Sequence, residues 1–156
     1  MPERLVIIPT YDERENIREI LTQVFGLRPD FHVLVVDDNS PDGTADIVKE
    51  LQAQWPGRLH LLQRAGKQGL GTAYIAGFKW ALANGYEFIF EMDADFSHDP
   101  KDLVRLYEAC AVGGADMSVG SRYVKGGEGK DWSWDRVLMS YCASLYVRTV
   151  LWLGVR

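Results

Sequence analysis

The chain has 156 residues, of which 47% are hydrophobic and 25% charged, the ordinary mixture of a protein with one hydrophobic core. Its formal net charge is −5, which gives no basic surface for a phosphate backbone and excludes nucleic acid as the expected partner. Cys110 and Cys142 lack the spacing of a metal or redox motif, so we expect buried free thiols, with one disulfide as the alternative. The apolar run near the amino terminus is too short for a secretory signal, and we expect a cytoplasmic protein.

Short aliphatic runs alternate with helical patterns from the amino terminus onward. The first run, 5–8, precedes apolar residues at i, i+3, i+4 and i+7 between 17 and 24, the pattern of an amphipathic helix. The second run, 32–36, precedes the same kind of spacing between 47 and 51. These segments predict two strand–helix pairs.

The rest of the chain continues this alternation. A third strand is predicted over 59–62, followed by a glycine-rich turn and a helix over 72–83. The fourth strand leads into EMDADFSHDP, in which Asp99 and Pro100 are typical of the start of a helix. Residues 116–121 predict a fifth strand. Because the strands are continuously apolar, we expect an α/β fold whose mostly parallel sheet is covered by helices on both faces.

Polar residues follow three of the predicted strands. They are PTYDE at 9–13, DDNS at 37–40 and DAD at 93–95. Ligands of open α/β sheets bind beyond the carboxyl ends of the strands, so we expect these acidic groups to converge at one edge. Converging carboxylates repel one another unless a cation or a ligand rich in donors lies between them.

The common phosphate-binding patterns are absent from the sequence. GLGTAY has Tyr74 where a dinucleotide fingerprint requires glycine, and Lys67 is followed by Gln68, which excludes a P-loop. Carboxylates can instead hold a hard divalent cation that binds a diphosphate. Side chains at i and i+2 of an extended strand share a face, so we predict that Asp93 and Asp95 bind one Mg²⁺ or Mn²⁺.

Five segments, in order, carry a family resemblance: IPTYDERENI, VVDDNSPDGTADI, GKQGLGTAYIAGF, MDADFSHDP and GSRYVKGG. From about residue 4 to about residue 136 the chain resembles the dolichol- or polyprenol-phosphate mannose synthases, family-2 glycosyltransferases with a GT-A nucleotide-sugar-binding fold. The resemblance implies a metal-dependent, inverting transfer of mannose from GDP-mannose to a polyprenyl or dolichyl monophosphate. The alternatives are a related transferase that uses glucose or a UDP-sugar, and a non-catalytic fragment that binds a nucleotide sugar.

The resemblance also implies roles for individual residues. It implies that Pro9, Tyr11 and Glu13 border the nucleoside and that Val36 and Asp38 lie beside the base. It also implies that Asp93, Ala94 and Asp95 lie at the metal–diphosphate and that Arg122 is one of the phosphate-binding residues. Asp95 and Arg122 are the candidate catalytic residues.

Some of these residues have simpler interpretations. Lys67 lies in a glycine-rich loop at the predicted acidic edge, which makes it a candidate phosphate contact rather than a solvated lysine. Asp38 and Ser40 could cap the following helix, and Gly69 and Gly71 could be turn residues only.

The carboxyl-terminal part predicts two further features. Residues 1–135 are the expected catalytic domain, and the segment 124–131, VKGGEGKD, is predicted to be a lid that becomes ordered on ligand binding, with an idle surface loop as the alternative. The family resemblance implies a further carboxyl-terminal segment, so we expect the chain to be part of a longer protein.

Residues 136–156 predict an amphipathic helix. A narrow polar stripe recurs every four residues, at Arg136, Ser140, Ser144 and Arg148. The longest uncharged stretch, 137–147, is well short of the roughly 20 residues that span a bilayer. We therefore predict a helix lying in the interface of a membrane, on its cytoplasmic face. Packing on the sheet or on a second subunit is the alternative.

Overall fold

The computed structural model describes residues 3–121 and 134–151. The elements are β1 (Arg4–Thr10), α1 (Ile17–Phe25), β2 (His32–Asp37), α2 (Thr44–Gln52), β3 (Leu59–Gln63), α3 (Leu70–Ala83), β4 (Phe88–Glu91), α4 (Asp102–Ala111) and α5 (Trp134–Leu151). The chain forms two compact units, Met1–Ser118 and Val119–Arg156. Elements β1 to α4 belong to the first unit, and α5 belongs to the second.

The four strands form one parallel sheet in the order β3-β2-β1-β4. The chain adds β2 and β3 on one side of β1 and then returns to place β4 on the other side. This reversal of strand order next to β1 is the position where open α/β sheets bind ligands. The predicted parallel sheet is confirmed.

Helices cover the sheet on both sides, as predicted. Alternate side chains of β1 and β2, including Val6 and Val33, pack with α1, α2 and α4 in one core cluster. The other set, including Ile7 and Leu34, packs with α3 in a second cluster. Strands buried on both faces explain the continuous apolar runs in the sequence.

Helix α3 lies unusually close to β1. A Cβ atom added at Gly77 would lie 2.6 Å from Cγ2 of Ile7, so only glycine permits this approach. The helix begins at Leu70, two residues before the predicted start. Its first turn therefore lies beside the carboxyl end of β1.

Two local predictions differ from the structure. Residues 116–121 form no strand: Met117 and Val119 are 74% and 64% exposed, so no burial holds this segment extended. Helix α4 begins at Asp102, three residues after Asp99. Asp99 caps the preceding turn instead, because its Oδ1 accepts the backbone N–H of Lys101 at 2.9 Å.

Both cysteines are free, as expected, but neither is buried. Cys110 on α4 is half-buried, and Cys142 on α5 is exposed.

Helix α5 carries many exposed apolar side chains. Those described as exposed include Leu138, Met139, Leu145, Tyr146 and Val150. Among the described residues, no helix is long and apolar enough to cross a bilayer.

Candidate active site

A cavity of about 250 Å³ opens beyond the carboxyl ends of β1, β2 and β4. The loop after β3 and the first turn of α3 complete its wall. Its lining residues are Pro9, Thr10, Tyr11, Glu13, Asp38, Lys67, Gly69, Leu70, Ala73, Asp93, Ala94 and Asp95. The sheet edge thus brings together residues from four separate parts of the sequence.

Most of the predicted site residues line this cavity. They are Pro9, Tyr11, Glu13, Asp38, Lys67, Asp93, Ala94 and Asp95. Val36 does not line it: this side chain is fully buried in the sheet, and its place beside the base stays a prediction. Arg122 and the predicted lid 124–131 lie outside the described residues.

The loops after β1 and β2 are joined by side-chain hydrogen bonds. The backbone N–H of Asp12 donates to Oγ of Ser40 at 3.2 Å, and that of Glu13 donates to Oγ1 of Thr44 at 3.1 Å. The two loops therefore hold Tyr11 and Glu13 in a fixed position at the cavity.

The adjacent carboxylates at the end of β2 have different roles. Asp37 is fully buried and accepts hydrogen bonds from Oγ1 of Thr10 at 3.0 Å and from the backbone N–H and Oγ of Ser40 at 3.0 and 2.6 Å. Asp37 thus fixes the loops, whereas Asp38 lines the cavity. Neither Asp38 nor Ser40 caps α2, because Asp42 binds the backbone N–H of Thr44 at 2.9 Å.

Asp38 forms a bidentate ion pair with Arg64. Nε of Arg64 lies 2.5 Å from Oδ1 of Asp38, and Nη2 lies 2.6 Å from Oδ2. The side chains are only 9% and 8% exposed. Arg64 is not among the residues predicted from the sequence; the available signal was an arginine directly after a predicted strand at the acidic edge.

Asp93 and Asp95 lie after β4, which ends at Glu91, so they are not on the extended strand from which their shared face was predicted. The loop brings both into the cavity instead. The backbone N–H of Ser97 donates to Oδ1 of Asp95 at 2.9 Å. Hydrogen bonds from Ser97 hold the pKa of Asp95 below its ordinary value, so this carboxylate is ionised at neutral pH.

Tyr74 on α3 donates a hydrogen bond to Asp93, with its Oη 3.0 Å from Oδ1. Burial and the neighbouring Asp93 charge raise the pKa of the Tyr74 hydroxyl well above its ordinary value. The hydroxyl therefore stays protonated and remains a donor. The sequence analysis noted Tyr74 only as a departure from a glycine motif.

Lys67 is a cationic residue of the cavity lining. Nζ of Lys67 lies 4.2 Å from the centre of the Tyr11 ring, a cation–π distance. The glycine-rich loop therefore presents positive charge to a cavity that Glu13, Asp93 and Asp95 make acidic.

One non-glycine residue in each loop after β1, β2 and β4 has a left-handed backbone: Asp12, Asn39 and Phe96, with φ of 61°, 59° and 59°. Such conformations are costly for residues other than glycine and concentrate at functional sites. All three loops border this cavity.

The residues fit a divalent cation with few protein ligands. Within 3–121 and 134–151, no group of three or more His, Cys, Asp or Glu side chains is arranged to hold a metal. Asp93 and Asp95, which follow the same strand, both line the cavity. Mg²⁺ commonly binds through one or two carboxylates and completes its shell with phosphate and water.

Comparison with known proteins identifies the family. The profile described as Glycosyl transferase family 2 matches residues 5–152. The chain belongs to glycosyl transferase family 2. This membership confirms the resemblance found in the five sequence motifs.

The names of three curated relatives of this family-2 chain refer to lipid phosphates. It is 50% identical to the polyprenol monophosphomannose synthase of Mycolicibacterium smegmatis, over 97% of this chain and 57% of the relative. It is 48% identical to the undecaprenyl-phosphate mannosyltransferase of Micrococcus luteus, over 97% and 61%. It is 40% identical to the dolichol-phosphate mannosyltransferase of Pyrococcus furiosus, over 94% and 40%. The chain thus spans 40% to 61% of the length of these relatives.

Two solved structures share the fold. S. aureus TarS 1–349 is 26% identical with a TM-score of 0.56, over 71% of this chain and 32% of that one. The mannosyltransferase PcManGT from Pyrobaculum calidifontis, in complex with GDP-Man and Mn²⁺, is 28% identical with a TM-score of 0.55, over 70% and 32%. The predicted GT-A fold is confirmed.

Proposed function

We propose that this chain carries the donor-binding and metal-binding part of a polyprenyl-phosphate mannosyltransferase. The reaction is the transfer of mannose from GDP-mannose to a polyprenyl or dolichyl monophosphate, with inversion at the anomeric carbon. The main support is geometric: Asp38 lies on one side of the carboxyl end of β1, Asp93 and Asp95 lie on the other, and all three line one cavity.

The names of the relatives support the choice of donor and acceptor. Three of them are mannose-transferring enzymes of polyprenol, undecaprenyl or dolichol phosphate, and PcManGT has been solved with GDP-Man and Mn²⁺. Mannose is common to all four names, the lipid phosphate comes from the three curated relatives, and the guanine nucleotide comes from PcManGT.

Different residues of the cavity would bind different parts of the donor. Pro9, Tyr11 and Glu13 border the nucleoside, and Asp38 lies beside the base with Val36 behind it in the sheet. Asp93 and Asp95, with Ala94 between them, would hold Mg²⁺ or Mn²⁺ at the diphosphate. That ion, when bound, supplies Lewis-acid stabilisation of the charge on the departing GDP.

Two cationic residues, Lys67 and Arg122, would stabilise the same negative charge on the departing GDP. Lys67 is presented to the cavity by the glycine-rich loop and would approach the diphosphate by leaving the Tyr11 ring. Arg122 is proposed as a further phosphate-binding residue on the family resemblance. Preorganised positive charge at a leaving group lowers the barrier without any proton transfer.

The acceptor phosphate requires orientation rather than activation. Its second pKa is about 6, so it is largely ionised at neutral pH. We therefore assign no general base. Attack on the face of the sugar opposite the diphosphate inverts the anomeric centre.

The lipid acceptor also requires access to a membrane. We propose that the chain is peripheral on the cytoplasmic face of a membrane and that α5 lies in the interface. The exposed apolar side chains of α5 support this placement, because the free energy falls when apolar groups move from water into the acyl boundary of the bilayer.

Transfer to a purified acceptor tests the proposal. The chain is incubated with Mn²⁺, undecaprenyl phosphate and radiolabelled GDP-mannose, GDP-glucose, UDP-glucose or UDP-N-acetylglucosamine, and the labelled lipid is extracted. We expect labelled lipid from GDP-mannose, and none from a chain with both Asp93→Asn and Asp95→Asn. Preferred transfer from another donor would contradict the choice of mannose. Binding of GDP-mannose without any transfer would instead indicate a binding fragment.

A further inference from the structure

Arg64 lies behind the wall of the cavity and holds Asp38 through two hydrogen bonds. The guanidinium atoms Nε and Nη2 face the two carboxylate oxygens at 2.5 and 2.6 Å, and both side chains are almost completely buried. This planar fork matches the geometry of a carboxylate, and the point charge of a lysine cannot reproduce it.

The same guanidinium is bound to the glycine-rich loop and to the start of α3. Nη1 donates to Oγ1 of Thr72 at 2.7 Å, and Nη2 faces the carbonyl oxygen of Gly69 at 3.4 Å. The backbone N–H of Gln68 lies 3.4 Å from Oδ2 of Asp38. One buried side chain therefore joins Asp38 to the loop that carries Lys67.

The atoms that Arg64 holds reach the cavity, but Arg64 does not line it. Asp38, Lys67 and Gly69 are lining residues. Oδ2 of Asp38 accepts one N–H of Arg64 and the backbone N–H of Gln68, whereas, among the described residues, Oδ1 accepts one N–H of Arg64 only. Because a carboxylate oxygen can accept two hydrogen bonds, Oδ1 can accept a further one from a ligand. The direction in which Asp38 can receive a donor group is therefore set by the guanidinium.

We infer that Arg64 is a positioning residue for the nucleotide: it fixes the carboxylate of Asp38 on the nucleoside side and the loop of Lys67 on the diphosphate side. This inference rests on the proposed function, since it takes a nucleoside diphosphate as the ligand of the cavity. It predicts that base discrimination and nucleotide affinity depend on a residue that does not line the cavity.

Binding measurements on substituted chains test the inference. The variants are Arg64→Lys, Arg64→Met and Thr72→Val. The last removes the hydroxyl that accepts from Nη1 of Arg64 and donates to the carbonyl oxygen of Gly69 at 2.7 Å. The matched control is Arg58→Met, because Arg58 precedes β3 at the other end of the same strand and donates from Nη2 to the carbonyl of Phe31 at 3.0 Å. Calorimetry gives the Kd of each chain for GDP and for UDP, and thermal unfolding gives its Tm.

We expect the Kd for GDP to rise about tenfold or more in both Arg64 variants, as for the loss of hydrogen bonds to a charged group. We also expect the ratio of the UDP and GDP Kd values to fall, and Thr72→Val to shift the Kd in the same direction by less. Arg58→Met should lower the Tm and leave both Kd values unchanged.

Different results separate this inference from the proposed function. If the unsubstituted chain binds GDP and either Arg64→Lys or the folded Arg64→Met chain keeps its affinity and base discrimination, Arg64 has no positioning role. If Arg64→Met does not fold, Arg64→Lys decides alone, and unchanged Kd values for GDP and UDP in that variant overturn the inference. If the folded, unsubstituted chain binds no GDP, the proposed function is wrong and the inference is wrong with it.

Discussion

The hydroxyl of Tyr74 points at Asp93, with 3.0 Å between Oη and Oδ1. The hydrogen bond joins α3 to the loop after β4 and orients one of the two carboxylates proposed to hold the metal. Residues that orient metal ligands typically change metal affinity by about 10- to 100-fold when they are replaced. We therefore expect Tyr74→Phe to weaken Mn²⁺ binding in the presence of GDP by about that factor.

Electron paramagnetic resonance of free Mn²⁺ measures this affinity directly. Tyr107→Phe is the matched control, because its hydroxyl donates to Glu3 at 3.1 Å, away from the cavity. Equal Mn²⁺ affinity in Tyr74→Phe and Tyr107→Phe would show that the Tyr74 hydroxyl does not orient a metal ligand.

The carboxylates themselves provide a stronger test of the metal. Asp95→Asn keeps the shape of the side chain and removes its charge, so we expect transfer to fall by on the order of a hundredfold or more. EDTA should abolish transfer, and added Mn²⁺ or Mg²⁺ should restore it. Asp99→Asn, in the same loop but outside the cavity lining, should leave the rate unchanged. Turnover that survives EDTA would mean that Asp93 and Asp95 do not act through a metal.

The sequence predicted the fold because its main determinants are local. The apolar spacing from Ile17 to Val24 reproduces the buried face of α1, and the continuous strands indicated a sheet covered on both faces. The convergence of the acidic residues followed from a general property of parallel strands. Eight of the ten predicted site residues line the cavity, although most of them were implied by the family resemblance and not by the strand pattern.

What the sequence could not predict were the contacts between elements distant in the chain. The pair of Asp38 with Arg64 and the pair of Asp93 with Tyr74 each join residues from different elements, and no spacing rule connects such residues. The fifth strand was wrong for a related reason: Met117 and Val119 fit a strand pattern, but their burial depends on neighbours that a pattern does not contain.

The close approach of α3 to β1 predicts opposite effects of two identical substitutions. Gly77→Ala would place Cβ 2.6 Å from Cγ2 of Ile7, and such overpacking typically costs about 1–3 kcal/mol. Gly71→Ala on the same helix meets no atom within 4 Å, and we expect it to raise the free energy of unfolding by about 0.5 kcal/mol. Urea denaturation of the two variants measures both changes. Equal stability of the two variants would contradict the packing described for α3.

A half-buried hydrogen-bonded cluster at the amino ends of β2 and β3 predicts a pH dependence of stability. Nδ1 of His32 lies 2.9 Å from Oη of Tyr86, which lies 3.3 Å from Nε2 of His60. Burial lowers the pKa of both histidines below the ordinary value of 6.5. The charges of Arg58 and His60 lower the pKa of His32 further, whereas the charge of Asp30 raises it. Below that value the unfolded chain binds more protons than the folded one, so these two groups reduce stability as the pH falls from 6.5 towards their folded pKa values.

We therefore expect a lower urea midpoint at about pH 5.5 than at about pH 8, on either side of the ordinary histidine pKa. His32→Gln should reduce the difference between the two midpoints, while His98→Gln, in the exposed loop after β4, should not. The same difference in all three chains would remove the cluster as its cause.

The proposed membrane contact predicts different effects at neighbouring positions of α5. Leu145 is exposed and belongs to the apolar part of the helix, whereas Ser144 belongs to the polar stripe. Burial of one leucine side chain contributes about 1.5–3 kcal/mol, so Leu145→Glu should reduce the fraction bound to phosphatidylcholine vesicles about tenfold. Ser144→Glu should bind like the unsubstituted chain. Co-sedimentation measures both, and an unsubstituted chain that stays in the supernatant would favour packing on another protein surface.

The strand order gives the two sides of the cavity unequal local stability. In the described part of the chain, β4 joins the sheet through β1 alone. The pairing of β1 with β4 also closes a longer stretch of chain than the pairing of β1 with β2, since Arg4 pairs with Phe88 whereas Leu5 pairs with His32. A four-residue edge strand with such distant closure opens more readily than β2, which is paired on both sides. A ligand that touches both Asp38 and Asp95 would bridge an interior strand and this edge strand across β1. Binding would then slow amide exchange in β4 most of all, because the ligand itself would complete the anchoring of the strand that leads to the metal-binding carboxylates.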